Sequence, residues 1–249
     1  MFFSIVFLVG LVLGSFINVL IYRLPREENI YFSRSACPEC KKEISAKDLI
    51  PILSYFFLRG RCRNCGVKIS PRYPAIELIT GLGLTGVFWA LGFTWQGFAI
   101  GLLFLLLLPA AVIDWKHYIL PDEITLTGLV AGLVLAIFGT HLGFFEAVLG
   151  ILLGGGSLLL LSLVYPSGMG GGDVKLMAMV GSFIGWQFAL GAIFIGALLG
   201  IIYYIIGNKV LGKMDRTTPI PFGSLLAPGS FIAFFWGYRI WEWYINLLI

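Results

Sequence analysis

Eight apolar runs follow one another along the chain, at about 1–22, 75–91, 97–113, 124–140, 144–165, 174–186, 187–206 and 224–247. Runs of this kind predict membrane-spanning helices, which satisfy their backbone hydrogen bonds internally where no water is present. The expected fold class is an all-α polytopic membrane protein of about eight transmembrane helices. Only GSFIGWQ separates the sixth run from the seventh, so a re-entrant arrangement is an alternative there. Three regions follow: a first transmembrane helix at 1–22, a polar loop at 23–74 and a transmembrane core at 75–249.

Composition agrees, with 59% hydrophobic and 12% charged residues and a mean hydropathy of +0.94, far from a soluble domain. Charge then orients the chain. Eleven of the seventeen Lys and Arg lie between Arg23 and Arg72, which the positive-inside rule assigns to the cytoplasm. Threading eight spans from an outside N-terminus places Lys116, Lys175, Lys209, Lys213 and Arg216 on the same side and leaves only Arg239 outside. The first run has no preceding cation and no small-residue cleavage site, so a transmembrane helix is expected there in place of a removable signal.

The polar loop carries all four cysteines, as CPEC (Cys37, Cys40) and CRNC (Cys62, Cys65). Two Cys-x-x-Cys turns can place four thiolates around one Zn²⁺, and a reducing cytoplasm disfavours disulfides. Structural zinc is the favoured reading over redox thiols, and four protein ligands leave no open position for chemistry. The loop's net charge of +6 suits anionic lipid as well as nucleic acid. The overall pI near 8.9 needs no nucleic-acid partner to explain it.

Three of the chain's five aspartates lie in two loops expected on the cytoplasmic face, Asp114 and Asp122 in DWKHYILPDE and Asp173 in GMGGGD. Carboxylates at such depths turn to a cavity or a partner. Two that share a site hold a proton between them, so one serves as base to a water while the other polarises a peptide carbonyl. Gly170, Gly171 and Gly172 would let a substrate strand approach the backbone, and Asp173 would open the following helix, where the dipole favours a negative charge. A proton relay in a transporter is the competing use of these carboxylates, and a helix cap is the plain structural use. The residues alone do not separate Asp114 from Asp122.

Six ordered blocks resemble the type IV prepilin peptidases (prepilin leader peptidase/N-methyltransferase), membrane aspartic proteases of the Gly-x-Gly-Asp kind: GSFINVLIYRLP, the paired CPEC and CRNC, SPRYPAIELITG, DWKHYILPD, GMGGGDVKLMAMVG and TPIPFG. The resemblance covers nearly the whole chain. It implies a bifunctional enzyme of the bacterial cytoplasmic (inner) membrane. Such an enzyme removes the basic leader of type IV prepilins or pseudopilins on the cytoplasmic side, after a glycine, then methylates the new N-terminus with S-adenosylmethionine. By motif the catalytic pair is Asp114 and Asp173, with Gly170, Gly172, Lys175 and Asp122 as substrate-binding or supporting residues. Region 23–74 becomes the methyltransferase-associated zinc loop, with Gly60 in the methyl-donor region, and 75–249 the peptidase core. No Gly-x-Gly-x-x-Gly turn occurs in that loop, so Gly60 rests on resemblance alone, and a turn glycine is the alternative.

Other residues have simpler readings. His117 is expected to be solvated, Lys175 to snorkel to the interface, and His141 to lie far from any site. Glu77, inside the second run, is either functional or paired with a loop arginine. The tryptophans between 236 and 243 read as an interfacial belt. Two further functions stay in play: a transporter relaying protons through its aspartates, and a zinc-loop membrane adaptor without catalysis.

Overall fold

The computed structural model describes residues 2–30, 35–138, 142–165, 169–211 and 219–248. His141, Gly168, Arg34, Lys213, Arg216 and Thr218 lie outside the described residues. No β-strand occurs among the described residues. Two compact units make up the chain, Met1–Pro109 and Ala110–Ile249.

The first unit is built on α1 (Phe2–Arg23) and α3 (Arg72–Leu91). On α1 the buried positions are Gly10, Leu11, Gly14, Ile17, Asn18 and Ile21, a single stripe at helical period. The opposite face exposes Phe2, Ile5, Leu8, Val12 and Phe16, as a lipid-facing surface should. Small residues hold the pair together, because lipid tails remove the hydrophobic drive between helices. A Cβ added at Gly10 would stand 2.7 Å from the Gly81 Cα, and one at Gly14 would stand 2.6 Å from the Glu77 Cα. The Asn18 side-chain amide donates across to the Tyr73 carbonyl at 3.0 Å. Between the two helices runs the cysteine loop, whose described residues form short 3₁₀ turns, α2 (Leu53–Phe57) and the isolated bridges Ala36–Glu43 and Arg61–Lys68. Helix α4 (Trp95–His117) starts in this unit.

The second unit contains the end of α4, α5 (Asp122–Ile137), α6 (Phe144–Gly150), a π turn (Ile151–Gly155), α7 (Gly156–Val164), α8 (Gly171–Leu211) and α9 (Phe222–Leu248). Residues 176–185 of α8 are buried on every side, which makes this stretch the centre of the unit. Gly150 and Gly181 meet backbone to backbone there: a Cβ on either would collide with the carbonyl of the other. Gly185, with φ 77° and ψ 172°, alone leaves the helical region, so the sixth and seventh apolar runs are two helices joined at a kink with no loop between them.

Five helices among the described residues are long and apolar enough to cross a membrane: Phe2–Arg26, Arg72–Leu91, Trp95–His117, Phe144–Val164 and Gly171–Lys209. The fold is therefore all-helical and of the multi-pass membrane kind, with the cysteine cluster between the first two spans.

Candidate active site and metal centre

The two cysteine turns fold alike. In each, the first cysteine's N–H donates to a carbonyl five residues on, Cys37 to Lys42 at 3.0 Å and Cys62 to Val67 at 2.9 Å. The residue four positions on takes a left-handed conformation, Lys41 at φ 58° and Gly66 at φ 72°. The four Sγ atoms consequently lie within 4.8 Å of one another. Cys37 and Cys65 sulfurs are 3.8 Å apart, against about 3.8 Å for the edge of a tetrahedron with Zn–S bonds of about 2.3 Å. Backbone N–H groups of Cys65 and Asn64 hold the Cys62 thiol down to about 7, while burial and the neighbouring Cys62, Cys40 and Cys37 sulfurs push the Cys65 thiol up to about 12. The donor set thus fits zinc. Arg63 in the second turn grips Asp48 with two bonds of 2.9 and 2.7 Å, holding that carboxyl below the usual range.

Gly60 is buried just ahead of the second turn at φ +65°, and a Cβ there would stand 3.0 Å from the Tyr55 ring. Its N–H donates to Tyr55 and its carbonyl accepts from Ile69, so its geometry is that of a tight turn. Among the described residues no ion pair joins Glu77 to an arginine. The buried carboxylate accepts the Ile52 N–H at 2.7 Å and bonds the Ser15 side chain.

In the second unit, Asp114 lies in the last turn of α4 and Asp173 in the first turn of α8. Both are buried, 6% and 9% exposed, and each lies within electrostatic reach of the other. The Asp114 Oδ2 accepts the Ser224 N–H at 2.7 Å and the Ser224 hydroxyl at 2.9 Å, and the Gly223 N–H also bonds this carboxylate. Free N–H groups at the start of α9 thereby form an anion cradle for Asp114. The Ser224 Oγ also lies 2.7 Å from the Ala111 carbonyl, so its single hydrogen has two acceptors in reach.

Between the carboxylates' neighbours sits Leu120. A Cβ at Gly172, next to Asp173, would be 3.0 Å from Leu120, and one at Gly223 would be 2.9 Å from Leu120 and 3.2 Å from the Asp114 Oδ2. Tyr118 at φ 54° turns the chain back after α4 and brings Leu120 there. Gly170 lies beside the Asp173 Oδ2, 3.7 Å from where its Cβ would be.

Asp122 is exposed, and its carboxylate takes both bonds from Lys175, two residues after Asp173, at 2.7 and 2.8 Å. His117 is exposed at the end of α4. Ser224, Gly223 and Leu120 had no role in the sequence reading. The one signal for the first two was their position at the end of, and just after, the TPIPFG block.

The family comparisons match both units. A family model for the bacterial peptidase A24 N-terminal domain matches residues 8–91, and one for the type IV leader peptidase family matches residues 100–205. Curated relatives named prepilin leader peptidase/N-methyltransferase are similar along their length. The Aeromonas salmonicida protein is 37% identical, over 100% of this chain and 96% of its own. The Pseudomonas aeruginosa protein is 37% identical over 96% and 92%, and the Bacillus subtilis protein 32% over 99% and 99%. No solved structure matches. With the cysteine cluster inside the first matched segment, Asp114 and Asp173 inside the second, and relatives aligned end to end, the chain belongs to the type IV leader peptidase family.

Proposed function

We propose that this protein is a membrane aspartic endopeptidase that removes the leader of prepilin-like precursors and then N-methylates the new N-terminus. The observation that carries the peptidase reading is the buried pair, Asp114 and Asp173, each at a helix end and each within reach of the other's charge. Carboxylic acids so placed share one proton. The ionised member takes a proton from water, whose oxygen attacks the peptide carbonyl, while the protonated member donates to the carbonyl oxygen. Collapse of the tetrahedral adduct breaks the C–N bond, and a proton passes to the leaving amine. Ser224 and the first N–H groups of α9 hold Asp114 at one oxygen, which leaves the other for this exchange.

The relatives' name supplies the second activity. S-adenosylmethionine would provide the methyl group at the zinc-loop unit, where Gly60 lies, and zinc on Cys37, Cys40, Cys62 and Cys65 would hold that loop's fold. The positive-inside pattern favours a cytoplasmic loop and active site, about eight crossings, and a substrate whose basic leader and apolar helix meet at that interface. Transporter and adaptor functions find no support among the relatives.

The test is leader release followed by mass, with the purified protein in lipid and a precursor of basic leader, glycine and apolar helix. Asp114→Asn and Asp173→Asn abolish release, while Asp122→Asn, whose partner is Lys175, retains it. Added S-adenosylmethionine shifts the wild-type product by one methyl group. Cleavage by either dyad variant overturns the assignment.

A further inference from the structure

Between the two cysteine turns lies a segment to which the functional reading gives no part. Leu49, Ile50, Leu53, Phe56 and Phe57 are all exposed, Phe56 by 70% and Phe57 by 83%. Five large apolar side chains in so short a stretch form a patch that a polar loop has no reason to show to water.

The backbone fixes where this patch lies. Ile52 sits at φ 61° and ψ −53°, in a tight γ-turn closed by the Leu53 N–H on the Pro51 carbonyl at 2.6 Å. A β-branched residue takes such angles only when its surroundings impose them. Here the Ile52 N–H is bonded at 2.7 Å to the buried Glu77 carboxylate of α3, which also bonds Ser15 of α1. Both helices are long and apolar enough to cross a membrane. Glu77 stands five residues into α3 from Arg72, a rise of about 7.5 Å along the axis. Interfacial helices bury their apolar faces about 5–10 Å into the boundary between headgroups and acyl chains. The tether therefore holds the start of α2 about 7.5 Å along α3 from Arg72, a distance of the same size.

What surrounds the patch agrees with lipid. The exposed apolar faces of the same two helices continue beside it, through Phe16 next to Ser15 and through Leu78, Ile79 and Leu82 after Glu77. Exposed Lys47, Arg59 and Arg61 flank it along the chain, complementary to anionic headgroups.

We infer that Leu49–Phe57 is an interfacial foot: it inserts its apolar side chains into the anionic lipid surface beside α3, with Lys47, Arg59 and Arg61 at the headgroups. Since the cysteine turns adjoin it on both sides, the foot fixes the metal cluster against the membrane plane.

Photocrosslinking in the full-length protein tests this. Benzoylphenylalanine replaces Phe57 in one preparation and Asn64, exposed on the second cysteine turn, in another, each in vesicles of mixed neutral and anionic phospholipid. Irradiation and mass analysis give a lipid adduct at 57 and none at 64. An adduct at 57 to a second copy or to another part of the chain overturns the inference, as does no adduct at 57 or equal lipid adducts at both. Changing Lys47, Arg59 and Arg61 together to Gln lowers the anionic share of the lipid adduct at least twofold. An unchanged share overturns the headgroup contact.

Discussion

Ser224 holds one oxygen of Asp114 with both its N–H and its hydroxyl. Ser224→Ala removes the hydroxyl and keeps the N–H. A hydrogen bond to a charged group contributes about 1.5–3 kcal/mol, so the cleavage rate falls about ten- to hundredfold with KM little changed. Ser224→Thr restores most of the rate, since the hydroxyl returns, and steady-state kinetics on a prepilin substrate check both. At this scale the sequence showed the aspartates and the cysteines, whose chemistry is carried by residue type and short spacing. It did not show Ser224, because a serine at a helix start reads as an ordinary cap and its partner lies 110 positions away. The bond from the Ile52 N–H to Glu77 is hidden for the same reason, because backbone groups leave no trace in a sequence.

Helices in lipid associate by close approach of small residues, and Gly150 and Gly181 bring backbone directly against backbone in the second unit. Gly150→Ala or Gly181→Ala forces α6 and the start of α8 apart, a cost of about 1–3 kcal/mol or more by overpacking. The expected result is a lower thermal midpoint in detergent for each variant, whereas Gly156→Ala, where a Cβ meets open space, leaves the midpoint unchanged. The apolar runs fall on helices, with Asp114 at the end of α4 and Asp173 at the start of α8, but five of the described helices are long and apolar enough to cross a membrane against the eight spans expected. Hydropathy could not say that Gly185 joins two helices without a loop, because the residues around it are as apolar as a helix interior. The π turn at Ile151–Gly155 was equally invisible, since an inserted residue does not alter the apolar character of a run.

At the scale of the molecule, the cysteine cluster and the carboxylates belong to different units, with the cysteines in Met1–Pro109 and both aspartates in Ala110–Ile249. Their dependence on metal should differ accordingly. Chelation in lipid unfolds the cysteine loop and stops methylation, while leader release continues, so the product accumulates cleaved and unmethylated by mass. Loss of both activities together would show the units to be functionally inseparable. The charges mark the cysteine loop between Arg23 and Arg72, but the expected boundary at residue 75 does not coincide with that of the units, because α3 packs against α1 and joins the first unit up to Pro109. Helix-to-helix register within each unit was not legible, because it depends on which small residues face each other.

Leu120 has a consequence for safety. A protease in a bilayer is passed continually by helices it must not cut, and here a single aliphatic side chain lies against both glycines that flank the carboxylates. Leu120 stands in the four residues between α4 and α5, so it can move aside without unwinding either helix. Loop movements of this size take nanoseconds to microseconds. A neighbouring chain that comes up to these two glycines meets the Leu120 hydrocarbon there.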